Sequence, residues 1–125
     1  MITEDYVSFE TAKLLKEKGF KGECLGVYFP NGRFDTFDTA FDYNLNDGNL
    51  SHAINAPTLQ MAIKWLRKTH KIFFNTNYYN LDIGNEWLQL RINRLNKIGC
   101  EVSFEGFDPE EQYEKAIKYC LENLI

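Results

Sequence analysis

Apolar and polar positions along this chain recur with two periods, one helical and one of strands. Phe9, Ala12, Leu14 and Leu15 form a stripe at helical spacing, while Lys13, Lys16, Glu17 and Lys18 fall on the other side. Ser8 is placed to cap this helix, and Glu10 suits its positive start. Gly19 suits a left-handed residue just past its end, with Phe20 folding back on the last turn. A second helical stretch runs from about Pro57 to Lys71, with Leu59, Ala62, Ile63 and Leu66 inward and Met61 and Trp65 flanking them. Pro57 is expected in its first turn. The third helix opens on Asp108-Pro109-Glu110-Glu111, which supplies an N-cap, a proline at N1 and an acid at N3 in the manner of a capping box. Tyr113, Ala116, Ile117, Cys120, Leu121 and Leu124 then mark its inner face.

The period of two marks the strands. Cys24 to Phe29 reads as a strand largely covered on both faces. Pro30-Asn31-Gly32-Arg33 follows as a turn, because Asn-Gly is the strongest short hairpin signal. The return strand runs from Arg33 to about Phe37. Residues 38–56 lack steady periodicity and read as a long loop. Ile72 to Tyr79 is strand-like, rich in β-branched and aromatic residues. In the strand from Glu86 to Leu95, Leu88, Leu90 and Ile92 point one way, and Trp87, Gln89, Arg91 and Asn93 the other. Cys100, Val102 and Phe104 alternate with Glu101, Ser103 and Glu105 in a last strand. Such alternation belongs to an antiparallel sheet with one wet face. The expected fold is therefore α+β. Its mainly antiparallel sheet has about five strands, with three helices, in the order α-β-β-(loop)-α-β-β-β-α. Residues 1–125 are read as a single domain, as the length allows.

Composition adds that 15% of the residues are aromatic, more rings than one small core uses, so some are expected at the surface. Met1-Ile2-Thr3-Glu4-Asp5 is acidic with no apolar run behind it, and no stretch approaches the ~20 apolar residues of a membrane span. The expectation is a cytoplasmic protein without membrane contact. Cys24, Cys100 and Cys120 are odd in number and form no C-x-x-C pair, which argues against a disulfide framework or a zinc ribbon. Each lies in an apolar pattern and reads as a reduced core thiol.

Candidate chemistry is sparse. Asp42 to Gly48 has the look of a calcium loop, but glycine comes one place late and the twelfth position is Ala53, so a solvated turn is preferred. Asp35, Asp38 and Asp42 sit where turns favour aspartate, and Glu110, Glu111 and Glu114 suit the start of the third helix. His70 reads as a residue near helix-end carbonyls, and His52 lies in the loop without an evident partner. No phosphate-binding, dinucleotide or nucleophile motif is present. The reading is therefore no catalytic residue, no metal site and no cofactor.

Charge layout is the most informative feature. Residues 1–56 carry a net −4, residues 57–98 a net +5 and residues 99–125 a net −5. Lys64, Arg67, Lys68 and Lys71 share the helix face opposite Leu59 and Leu66, and Arg91, Arg94 and Lys97 follow. This basic set is the candidate partner-binding surface. The leading reading is a non-enzymatic accessory protein that binds another protein. The first alternative is nucleic acid on the 64–97 segment, disfavoured because phosphate binding draws on net basic surface and the chain carries −4 overall. The second is a small-molecule or enzymatic site under the 38–56 loop. The pattern leaves oligomeric state open.

Three segments bear a likeness to known sequences: Ile2-Thr3-Glu4-Asp5-Tyr6-Val7-Ser8-Phe9-Glu10, Ala56-Pro57-Thr58-Leu59-Gln60-Met61-Ala62-Ile63-Lys64-Trp65-Leu66-Arg67, and Ala116-Ile117-Lys118-Tyr119-Cys120-Leu121-Glu122-Asn123-Leu124-Ile125. Together they resemble small uncharacterised proteins of Bacteroides genomes and their phages or prophages. The resemblance implies a bacterial or phage setting and carries over no functional residue.

Overall fold

The computed structural model describes residues 5–21, 26–36, 53–82, 85–95, 99 and 101–125. The chain groups into two compact units, Met1–Gln60 and Met61–Ile125.

In the first unit, α1 spans Phe9–Glu17. The Ser8 side chain accepts from the Thr11 N–H at 3.2 Å, as its position foretells. The helix stops at Gly19, whose φ of +94° is open to glycine at little cost. There the Phe20 N–H reaches the Leu15 carbonyl and the Gly19 N–H the Lys16 carbonyl, the paired bonds of a Schellman motif. Three short strands follow: β1 (Gly26–Tyr28), β2 (Phe34–Thr36) and β3 (Ile54–Ala56). They form an antiparallel sheet in the order β2-β1-β3. The predicted turn joins β1 to β2, with the Gly32 N–H on the Phe29 carbonyl and the Asn31 side chain on the Arg33 N–H. Val7, Ala12, Leu15, Val27 and Ala56 are fully buried or nearly so. Tyr6, Phe9, Tyr28 and Phe34 form a ring cluster with centroids 5.0 to 5.4 Å apart.

The helix α2 spans Leu59–His70. Pro57 precedes it rather than entering its first turn. Its carbonyl accepts from the Val7 N–H at 3.0 Å, within a segment where Tyr6 bridges Thr58. That pairing holds the chain extended and delays the helix. α2 ends at Lys71, whose φ of 57° turns the chain into the next strand. Leu59, Ala62 and Leu66 are buried as the stripe predicts, while Ile63 is half-buried.

In the second unit, β4 (Ile72–Asp82), β5 (Asn85–Arg94) and β6 (Val102–Gly106) form an antiparallel sheet in the order β4-β5-β6. The helix α3 (Pro109–Asn123) packs on β5 and β6. Asp108 caps it, accepting from the Glu110 and Glu111 N–H groups at 3.2 and 3.5 Å. Leu88, Leu90 and Ile92 are fully buried, as are Ala116, Ile117, Cys120 and Leu121. Gln112 is buried as well, lying where a side chain on Gly106 would project.

The α+β class and the antiparallel pairing agree with the sequence reading. One detail does not. Among the described residues there are six strands in two three-stranded sheets, not about five strands in one. The sixth strand, β3, lies at the end of the segment read as loop. Its three residues are too few to show a period, and its partner β1 is remote in sequence. Residues 38–52 of that segment lie outside the described residues.

Candidate functional site

The six candidate partner-binding residues all fall in the second unit. Lys64, Arg67, Lys68 and Lys71 are exposed on or just after α2. Lys71 donates from Nζ to the Lys68 carbonyl at 3.0 Å, and its own carbonyl accepts from the Leu95 N–H at 3.1 Å. That bond sets Lys71 beside the end of β5, where Arg94 stands opposite Ile72 in the register. Arg94 is not a free surface cation. It is largely buried and its Nε meets a Glu101 carboxylate oxygen at 2.8 Å. Arg91 is exposed between its cross-strand neighbours Asn75 and Ser103. Lys97 lies outside the described residues.

Arg91 belongs to a surface that the basic-segment reading does not contain. α3 covers one face of the second sheet, and the other is open among the described residues, with Asn75, Arg91, Ser103 and Glu105 exposed on it. On it a polar lattice runs across the strands. Asn75 Nδ2 donates to Asn93 Oδ1 at 2.7 Å, and Asn93 Nδ2 donates to the Gly99 carbonyl at 3.0 Å. Gln89 Nε2 donates to Glu105 at 2.8 Å, and the Tyr79 hydroxyl donates to Gln89 Oε1 at 3.3 Å. Next to this lattice lie three aromatics side by side. Tyr79 stands opposite Trp87 in the register, and Trp87 meets Phe107 edge-on with centroids 4.8 Å apart. Tyr79 is 46% and Phe107 60% exposed. The strand alternation already sends Trp87 outward with Arg91. Its neighbours Tyr79 and Phe107 depend on the register between strands, which the sequence pattern does not carry.

Asp35, Glu111 and Cys120 have structural explanations. Asp35 accepts from the Thr36 N–H at 2.8 Å and faces Arg33 at 3.8 Å. Glu111 pairs with Lys115 at 3.1 Å, one helical turn on. His70 packs edge-on against Trp65 at 4.7 Å, and its buried Nε2 meets no hydrogen-bond partner among the described residues. It does not cap carbonyls through that atom. Burial pushes the Cys120 thiol up to about 12, so it stays protonated and unreactive. Burial, with the hydrogen bond to Tyr78, likewise pushes the Tyr113 hydroxyl up to about 12. Cys24, Cys100, His52, Asp38, Asp42 and the calcium-like segment all lie outside the described residues. Among the described residues no group of three His, Cys, Asp or Glu is placed to hold a metal ion. None of their helices is long and apolar enough to cross a membrane.

A cleft of about 430 Å³ opens at the end of α1, lined by Lys16, Gly19, Phe20, Lys21, Ala53 and Asn55. Its cations suit an anion, but it sits at the carbonyl end of the helix, whose dipole opposes one. Comparison with protein-family models, with curated proteins and with solved structures returned no match.

Proposed function

We propose that this protein acts without catalysis, as an accessory protein that binds a protein partner through the open face of its second sheet. The observation behind this reading is the row Tyr79, Trp87 and Phe107, on the same face of the sheet as the exposed Arg91. Aromatic residues and arginine are the side chains that carry most binding energy in protein interfaces. A neighbouring lattice of amides and one carboxylate supplies a polar rim. The bacterial or phage setting of this proposal rests on the resemblance in sequence.

Nucleic acid is the second reading, favoured by exposed Lys64, Arg67 and Lys68, which make no ion pair among the described residues, and by rings on which bases stack. It ranks lower because acids interleave with the bases. Glu101 holds Arg94, and Glu105 sits on the open face itself. A phosphate backbone follows a groove of one sign, and these carboxylates interrupt it. The test is affinity capture from host cells with and without nuclease, comparing the unmodified chain with a Phe107→Ala, Arg91→Ala double variant. The expected result is one protein captured under both conditions and lost in the variant. Captured material that vanishes with nuclease, or that depends on Lys64 and Lys68 instead, overturns the proposal.

A further inference from the structure

We propose that the protein forms a two-fold dimer in which β4 pairs antiparallel with β4 of a second copy, centred on Thr76. β4 is an edge strand of the second sheet, since only β5 pairs with it among the described residues. Edges are normally guarded by brevity, charge, proline or a bulge. The other edge follows that rule: β6 spans five residues and carries the exposed Glu105. β4 does not. It spans 11 residues, and from Ile72 to Tyr79 it has no charge, no proline and no glycine. Its register irregularity comes only at Asn80/Asp82, past that stretch.

The sequence of this edge is its own complement. Phe73-Phe74-Asn75-Thr76-Asn77-Tyr78-Tyr79 reads as aromatic, aromatic, Asn, Thr, Asn, aromatic, aromatic from either end. A two-fold interface requires that if residue i meets j, then j meets i. Antiparallel pairing about Thr76 satisfies this with like partners. Thr76 meets Thr76 of the second copy, Asn75 meets Asn77, Phe74 meets Tyr78 and Phe73 meets Tyr79. Aromatic pairs and threonine pairs are among the cross-strand contacts that stabilise a sheet. The pairing also covers what is now bare. α3 packs on β5 and β6, and Tyr78 is 56% and Tyr79 46% exposed on opposite faces of β4. Each gains an aromatic neighbour in the dimer, and the two sheets join into one of six strands.

The test is sedimentation equilibrium across a wide concentration range. The expected mass approaches twice the 14.7 kDa of the chain. Asn75→Lys with Asn77→Lys sets lysine against lysine twice across the axis and weakens the dimer by at least about tenfold. Asn75→Lys with Asn77→Glu sets lysine against glutamate at the same positions and keeps it. Hydrogen exchange on the unmodified chain gives a reading that needs no variant: β4 amides gain protection with concentration while β6 amides do not. A monomer at all concentrations overturns the proposal. So does a dimer indifferent to the paired lysines, or one lost equally in both double variants.

Discussion

Gly26→Ala is a sensitive test of the first sheet, because two physical effects oppose each other there. In a strand, alanine is better than glycine by about 0.5–1 kcal/mol, so propensity alone predicts a more stable protein. The structure predicts the reverse. A Cβ on Gly26 would lie 2.7 Å from the Ala56 carbonyl oxygen and 2.7 Å from the Tyr6 ring. Ordinary carbon–oxygen contacts are about 3.3–3.6 Å, so an overlap of more than half an ångström has to be relieved. The oxygen belongs to the backbone of β3 at the position directly paired with Gly26, so relief there means parting β1 from β3. The ring is held against Phe34 with centroids 5.0 Å apart. Overpacking of this kind costs about 1–3 kcal/mol, which leaves a net loss of up to about 2.5 kcal/mol after the propensity gain. Urea unfolding should be followed by far-ultraviolet circular dichroism and by tryptophan fluorescence in parallel. Both tryptophans, Trp65 and Trp87, lie in the second unit, whereas the dichroism reports on both units. The expected result is a lower dichroism midpoint. A midpoint that is unchanged or raised refutes the packing of Tyr6 and β3 on Gly26.

Other outcomes follow from single side chains. Leu121→Ala removes a fully buried leucine from α3 and is expected to cost ~2–5 kcal/mol, against about half a kcal/mol at most for exposed Glu122→Ala; equal losses in urea melts would mean that the helix face is misassigned. Lys71→Gly relieves a left-handed backbone and should raise stability by about 1 kcal/mol in the same assay; an unchanged or lower midpoint would refute strain at this position. Cys120 should label slowly with a thiol reagent in the native state at pH 8 and quickly in urea, because burial holds the folded thiol protonated up to about pH 12. Tyr113 makes stability fall as pH rises: the unfolded phenol gives up its proton from its ordinary 10.0, the folded one at about 12, and the loss accrues between them. Alkaline melts of Tyr113→Phe should show a shallower decline over that window.

What could be read from the sequence depended on how far apart the deciding residues are. Ser8, Gly19 and Asp108 end their helices through bonds to residues a few positions away, so their roles were legible. Leu88, Leu90 and Ile92 were legible too, since a face buried throughout writes a clean alternation. Pro57 stands before the helix because its place is set by Val7, far back in the chain. β3 writes no pattern of its own for the same reason, since its partner β1 is remote in sequence. The aromatic row was half legible: alternation turned Trp87 outward, but only the register sets Tyr79 and Phe107 next to it.

The charge layout shows most clearly how folding changes the meaning of a pattern. Along the chain a basic stretch is followed by an acidic one, and the obvious inference is a basic surface separate from an acidic one. Antiparallel pairing of β5 with β6 folds the second stretch back onto the first. Glu101 comes to Arg94, and Glu105 comes to Gln89, two residues from Arg91. Segregation in sequence becomes mixture in space. Of the two β5 arginines, only Arg91 remains exposed, and it stands among polar neighbours on the face that carries the aromatic row rather than within a row of cations. A surface of that composition suits the varied chemistry of another protein better than the single repeated charge of a phosphate backbone.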